Sequence, residues 1–428
     1  MNNIVQKYSY ISVRYVVLVL SLFHIEVALA QQDFGNTEKL DSSQKFGQEV
    51  LEWRREFGSG EGLRTFSATA IDKNDQSIIL AGISQMPEIT QLFTQGGNPI
   101  EQIIVQKVDF YGNTLWIKPF SLSVTEPNRA RSVAIMDDGS YLLSGYHGGI
   151  TAMTNYAVKI DPEGNEVWKR RIGGVGDFVY SIEETPDGGF MTTGRKSHKG
   201  KKVAWLAKFN EDMRIIGEAI FEDISVANLN FVNDGSFHSI AINRSPKTDE
   251  KALSLTKFSV TGEMQWSKYS MPSIELGRRT LGLSSVEYDE EYIWVAGTAV
   301  DYNRGEKHDA SMWLVKLNYQ GEIIWTHEFK HDGEMASIAY LTVGPDGLAG
   351  SMRLQDAFGA EVDTTLVFFN FDGTIREQFE TGSDTISDLS YFNDSSLLII
   401  GEKELSVKKY RSGRSYASSL SYVERRKP

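Results

Sequence analysis

The residues able to do acid–base or metal chemistry are spread thinly along this chain. Its seven histidines (His24, His147, His198, His238, His308, His327, His331) form no His-x-His pair and no His-Glu-x-x-His motif. Those spacings would aim two ring nitrogens at one ion. Cysteine is absent, which removes thiolate nucleophiles, cysteine metal sites and disulfides. No Gly-x-Ser-x-Gly elbow marks a serine nucleophile. Only charged groups gather. Asp301, Glu306, Asp309, Asp356, Glu361 and Asp363 fall on two neighbouring loops, and paired carboxylates converging on one point would serve glycoside hydrolysis. Arg64, Arg129 with Arg131, and Arg278 with Arg279 each lie just ahead of an apolar strand. They are the candidate ligand-binding residues. Aimed together, they would form a cationic mouth suited to a carboxylate or an acidic sugar. The alternative is that they are solvated, or paired with Asp177, Glu334 and Asp384. The run Arg195–Lys202 is a denser basic patch, read as a solvated loop. Gly58-Ser-Gly60-Glu-Gly62 and Gly173-Gly174-Val-Gly176 lack the following helix that a phosphate loop requires, so they read as turns. No catalytic residue, no metal and no cofactor is expected.

The composition explains what must position such groups. The 428 residues are 41% hydrophobic and 24% charged, with 38 glycines, 10 prolines, 18 Tyr and 22 Phe. Abundant glycine and aromatics with few prolines favour many strands joined by tight turns. A net charge of −13 opposes binding to nucleic acid or to anionic lipid. Residues 1–30 differ from the rest. Lys7 and Arg14 precede the apolar run Tyr15–Phe23, followed by Ala28-Leu29-Ala30, the order of a secretory signal cleaved after Ala30. The run is too short for a membrane-spanning helix, so the expected location is secreted or periplasmic. Asn243-Arg244-Ser245 and Asn393-Asp394-Ser395 fit the N-glycosylation triplet.

A repeat runs through the remainder. Lys-x-Asp/Asn, two residues, Gly, three residues and Trp recurs as Lys107-Val-Asp109 with Gly112 and Trp116, and as Lys159-Ile-Asp161 with Gly164 and Trp168. It returns as Lys257-Phe-Ser259 with Gly262 and Trp266, and as Lys316-Leu-Asn318 with Gly321 and Trp325. Degenerate copies start at Lys208, Phe368 and Lys408. Between copies, a polar turn leads into an apolar strand closing at Gly82, Gly145, Gly194, Ala241, Gly297, Gly350 and Gly401. Seven units of two hairpins each have the size of propeller blades. A lone four-stranded sheet cannot bury both faces, so blades must stack, with the outer Trp filling the wedge between neighbours. Trp53-Arg-Arg-Glu-Phe57-Gly58 matches Trp168-Lys-Arg-Arg-Ile172-Gly173. Residues near 49–57 are therefore expected to complete the last blade, whose third strand is read as Leu405–Tyr410.

This pattern resembles the secreted bacterial β-propeller repeats of the SBBP type and, more distantly, the quinoprotein-like propellers with their PQQ-like repeats. The resemblance implies a fold and little of a function. The expected architecture is all-β: a seven-bladed β-propeller of four-stranded antiparallel blades, closed by an N-terminal outer strand. Its expected organisation is a signal peptide over 1–30, a linker over 31–44, the propeller over 45–413, and a frayed basic tail over 414–428. First-to-second and third-to-fourth strand links are tight. The second-to-third links (84–102, 146–155, 195–203, 242–252, 298–310, 353–363) are long and varied, and loops on a rigid scaffold carry function. The expected activity is non-catalytic binding or scaffolding of a protein or polysaccharide through that rim. The alternative is a propeller enzyme: a glycosidase, a polysaccharide lyase or a quinone-dependent dehydrogenase. No nucleic acid, no membrane span and no particular oligomeric state is read from the sequence.

Overall fold

The computed structural model describes most of residues 45–427; the first 44 residues and stretches including 58–63, 85–93, 273–279, 302–308, 331–334, 356–360 and 410–414 lie outside the described residues. The chain is a seven-bladed β-propeller of antiparallel sheets. The expected signal peptide and linker fall outside the described residues.

Two compact units are distinguished, Met1–Val133 with Ser383–Pro428, and Ala134–Gly382. Blade 1, in the first unit, runs Arg64–Ile71, Ile78–Ser84, Gln102–Val108 and Thr114–Phe120. Blade 7, in the same unit, runs Asp384–Tyr391, Leu397–Lys409 and Ser415–Lys427, and is completed by Glu49–Phe57 from the N-terminus. The short strand Lys45–Phe46 adds a fifth member to that sheet. The second unit carries blades 3 to 6 and most of blade 2. Blade 3 is Phe178–Glu184, Phe190–His198, Lys201–Phe209 and Ile215–Phe221. Blade 5 begins Thr280–Tyr288 and Tyr292–Asp301.

The expected N-terminal closure is present, with one correction. The third strand of blade 7 is Ser415–Lys427; Leu405–Lys409 merely prolongs the second strand. The basic C-terminal segment is therefore a paired strand and not a frayed tail. Trp53 faces Arg425 across the ladder, as Trp116 faces Lys107 and Trp168 faces Lys159. Arg425, not Lys408, is thus the seventh copy of the repeat lysine.

In blades 1 to 3 the repeat residues form one device; in blade 5 Lys316 lies instead over the Tyr292 and Trp294 rings, and blade 6 has Phe368 in place of the lysine. The third-strand lysine reaches the aspartate of the first hairpin turn: Lys107 to Asp75 at 2.9 Å, Lys159 to Asp138 at 2.6 Å, Lys208 to Asp187 at 2.6 Å. Two residues on, Asp109 or Asp161 caps the next turn. Asp109 Oδ1 accepts the amides of Tyr111 and Asn113 at 2.9 and 2.8 Å, and Asp161 Oδ1 accepts that of Asn165 at 2.7 Å. The chain then turns through left-handed backbone, at φ +79° in Gly112 and +85° in Gly164, where a glycine is unstrained. Blade 3 has Met213 at this point, also at positive φ.

Outer tryptophans fill the wedges, as the repeat implies. Trp53 donates its indole N–H to the Phe110 carbonyl at 3.1 Å and packs over Gly112. Trp325 covers Gly373, and Trp168 meets Phe190 edge-on at 6.0 Å. Buried Phe66, Leu80, Ile104, Phe392, Leu398 and Val423 form a core that joins the first and last blades inside the first unit.

In four blades the glycine closing the second strand has a role the repeat alone does not disclose. Gly194 pairs with Trp205, Gly297 with Trp313, Gly401 with Tyr422 and Gly145 with Tyr156. A Cβ at Gly194, Gly297 or Gly401 would collide with the facing ring or with a carbonyl of the first strand. Where glycine is lost, at Ala241, the facing residue is the small Ser254. Beside this cover the first strands bulge, at Ser67, Tyr180, Ser284, Ala339 and Ser387. A bulge re-aims side chains on a strand that would otherwise alternate strictly.

Candidate functional site

The turns of one rim are occupied by their own bonds. Burial opposes ionisation of Asp138, but hydrogen bonds from Lys159 and Ser140 outweigh it and bring its pKa to about 2. Asp187 is held at about 2 by Lys208 and Thr185, and Asp75 is lowered by Ser77 and Lys107 against its desolvation. These carboxylates are ionised and already satisfied. The repeated Asp-Gly turns therefore serve the blades themselves.

The opposite rim holds the candidates from the sequence. Arg129 is neutralised by an ion pair with Glu101 and also reaches the carbonyl of Asn128 at 3.3 Å. Arg131 is half-buried on the first strand of blade 2. Arg64 pairs with Ser84 in the strand ladder of blade 1. Arg278 and Arg279 lie outside the described residues. Asp177 pairs with no arginine among the described residues: its Oδ2 accepts the Gly174 amide at 2.7 Å and its Oδ1 the Ser197 amide at 3.1 Å. Among the carboxylates suited to hydrolysis, Asp301 and Asp309 face each other at the end of one hairpin of blade 5. Glu306 and Asp356 lie outside the described residues. Asn243 of the glycosylation triplet is buried, its amide tied to Ser225 and Ser254.

The basic run 195–203 is a strand hairpin instead of a loop. Phe190–His198 and Lys201–Phe209 pair throughout and close in two residues, Lys199 at φ +48° and Gly200 at φ +78°. Two successive positive φ values are what a right-twisted hairpin needs of a two-residue turn. A glycine second in that turn was the available signal in the sequence. Lys196 pairs with Glu218, and Lys199 approaches Glu222 at 3.7 Å. Lys202 donates to the Gly176 carbonyl of blade 2's last turn. Arg195 and Lys201 are exposed.

A groove of about 550 Å³ opens beside this hairpin. It is lined by Arg171 and the Gly173–Asp177 turn that follows blade 2, and by Lys196, Ser197, Trp205, Phe209, Met213 and Ile215 of blade 3. Gly173 stands at φ +71° and Gly176 at +78°, so the turn reading of this glycine cluster holds. Arg171 Nε donates to the Gly173 carbonyl at 3.1 Å.

Two half-buried carboxyls sit on first strands. Burial raises Glu183 to about 7, only partly offset by Ser181. Burial likewise raises Asp388 to about 6, against a hydrogen bond from Thr69 Oγ1. The histidines serve packing: His238 lies between Trp266 and Tyr319 at ring distances of 5.8 and 5.5 Å, and His327 Nε2 hydrogen-bonds the Asp372 carbonyl at 2.8 Å. Among the described residues no three His, Asp or Glu gather as metal ligands, and no helix is long and apolar enough to cross a membrane.

No protein-family model matches this chain, and no curated protein does. Among solved structures it is similar to the Dos1 propeller, at 10% identity and TM-score 0.44, covering 87% of this chain and 93% of that one. It is also similar to the β-propeller domain of the Trilobed protease from Pyrococcus furiosus, at 10% identity and TM-score 0.44, covering 83% and 93%. A mutant of Synechocystis apocarotenoid oxygenase aligns at 11% identity and TM-score 0.42, covering 74% and 72%.

Proposed function

We propose that this chain is an exported, non-catalytic propeller that binds a protein or polysaccharide through the rim carrying its second-to-third strand links. One observation carries the reading. In blades 1 to 3 the turns of the other rim repeat a single bonding scheme, lysine to aspartate and aspartate or asparagine to backbone amides. The described links of the binding rim differ in sequence and share no such scheme. They are a two-residue turn at 199–200, the six residues 245–250, and the six residues 148–153. Variation on a fixed scaffold is how repeat folds place recognition. The resemblance of the repeat to secreted bacterial propellers, and the signal-like residues 1–30, support export.

The test compares the chain with a variant in which Ser197–Lys202 is replaced by a two-residue turn. Both are immobilised and offered envelope extract and a panel of polysaccharides. The shortened variant is expected to lose capture of a ligand that the parent retains. Equal capture by both removes this rim as the working surface.

A further inference from the structure

We propose that the outer strand of blade 3, Ile215–Phe221, pairs edge to edge with the same strand of a second copy of this chain, giving a two-fold symmetric dimer in solution. This interface is separate from the binding rim proposed above.

The first observation is an unguarded edge. The fourth strand of a blade ends its sheet, so one row of its backbone groups has no strand beside it. Such a row accepts a strand from another chain, and proteins commonly blunt it with lysine or proline. The other described fourth strands are guarded in this way. Thr114–Phe120 carries Lys118 and Pro119, Glu166–Ile172 carries Lys169 to Arg171, and Met264–Ser270 of blade 4 carries Lys268. Ile323–Lys330 of blade 5 ends in its lysine, and Ile375–Glu380 of blade 6 has Arg376. In blade 7 the edge of Glu49–Phe57 is covered by Lys45–Phe46. Blade 3 differs. Its strand reads Ile-Ile-Gly-Glu-Ala-Ile-Phe, without lysine, arginine or proline, and its single charge, Glu218, is spent on Lys196.

The second is exposed apolar surface on that edge. Ile215 and Ile216 are 49% and 61% exposed. Branched side chains of this kind gain most from a neighbour on a pleated surface.

The third is self-complementarity. Alternate residues of a strand turn their N–H and C=O to opposite sides, so a two-fold antiparallel edge must be centred on a residue and not between two. Centred on Glu218, the pairing sets Ile215 against Phe221, Ile216 against Ile220 and Gly217 against Ala219, each twice. The exposed flanking residues Arg214 and Glu222 then face each other, so an ion pair closes each end of the apolar stretch. Glu222 keeps its own chain's Lys199 at 3.7 Å. Each Glu218 arrives at the axis with its own Lys196. Centring on Gly217 or Ala219 instead puts Glu218 against Ile216 or Ile220 and separates Arg214 from Glu222. The contact uses one patch twice and closes on two copies. Seven residues of edge make a small interface, so the expected affinity is micromolar.

The full chain is followed by sedimentation equilibrium from about 1 to about 100 micromolar. The parent is expected to fit a monomer–dimer equilibrium. Ile216→Lys gives blade 3 the guard that the other blades have, and should weaken the dimer about 10-fold or more. Ile324→Lys, a like change on the outer strand of blade 5, should leave the dimer as in the parent. Arg214→Glu and Glu222→Arg each place like charges opposite one another at both ends, and each should weaken self-association about 10-fold. Mixed in equal amounts, these two variants regain both ion pairs and should associate like the parent, a recovery that a folding defect cannot imitate. A parent that stays monomeric throughout overturns the proposal. So does a dimer that survives Ile216→Lys or is weakened equally by Ile324→Lys, since another surface then holds it. A mixture that associates no better than its components overturns the pairing about Glu218.

Discussion

Removing Arg425 should unfasten the junction of the two chain ends. Arg425 is 3% exposed and holds four side chains on three elements at once. It pairs with Glu52 on the N-terminal strand at 2.6 Å and with Asp394 in the first turn of its own blade. It donates to Ser396 Oγ at 2.7 Å, and its guanidinium lies 3.5 Å from the centre of the Phe110 ring in blade 1. Truncating this buried side chain costs about 3–5 kcal/mol, chiefly through the cavity left against Phe110 and Phe392 and the lost Ser396 bond, since Glu52 and Asp394 are partly exposed and regain water. The cation–ring contact adds about 0.5–2 kcal/mol. No disulfide shares the load, since the chain has no cysteine. With an unfolding entropy of about 2 cal/mol/K per residue, roughly 400 ordered residues give about 0.8 kcal/mol/K, so 3–5 kcal/mol corresponds to about 4–6 °C. Arg425→Ala is expected to lower the calorimetric midpoint by that much or more. Arg425→Lys keeps the charge but loses the fork, and should fall between the two. The reasoning fails if Arg425→Ala shifts the midpoint by less than about 1 °C. It also fails if a double-mutant cycle with Glu52→Gln shows no coupling.

Other changes separate the remaining forces. Gly297→Ala places a Cβ into Trp313 and a first-strand carbonyl and should destabilise by about 1–3 kcal/mol by denaturant melt, whereas Ala241→Gly, opposite Ser254, should cost less than about 1 kcal/mol. Lys208 is 5% exposed but its partner Asp187 is 59% exposed, so solvent screens the pair and Lys208→Met should cost about 0.5–1 kcal/mol by denaturant melt at pH 7. Because Asp187 is lowered from 3.8 to about 2, that contribution should be present above pH 4 and fade as pH falls towards 2. Glu183 runs the other way. Its pKa is raised from 4.5 to about 7, so its contribution is whole below pH 4.5 and lost as pH rises through 7. Glu183→Gln should therefore stabilise by about 1–3 kcal/mol at pH 8 and by almost nothing at pH 4, in paired melts. A chain ending at residue 414 lacks the strand joining both ends of blade 7 and should lose the cooperative transition in a thermal scan.

Much of this fold is legible in the residues because each repeat element answers a local need. A turn needs φ > 0, a cap needs an acceptor two to four residues ahead, and a wedge between twisted sheets needs a large ring. Those needs recur at fixed spacing, and so do Gly112 and Gly164, Asp109 and Asp161, Trp116 and Trp168. The N-terminal contribution to the last blade was readable for the same reason, since Trp53 carries the whole fourth-strand signature. The third strand of that blade was not. Its lysine is replaced by Arg425 and its turn signature is missing, so only the ladder against both Leu397–Lys409 and Glu49–Phe57 identifies it.

Pairings made across distance were equally hidden. A glycine closing a second strand reads as a strand terminator until Trp205, Trp313 or Tyr422 is seen lying over it; the physical cause is a neighbour, and neighbours on different strands leave no fixed spacing. The basic run 195–203 read as a loop because charge predicts exposure, and exposure does not distinguish a loop from a paired hairpin. Sequence determined the blade, the count and the order of strands through local backbone chemistry. Tertiary structure alone decided which charges are spent on each other, as Arg129 is on Glu101, and which, like Arg171, stay exposed.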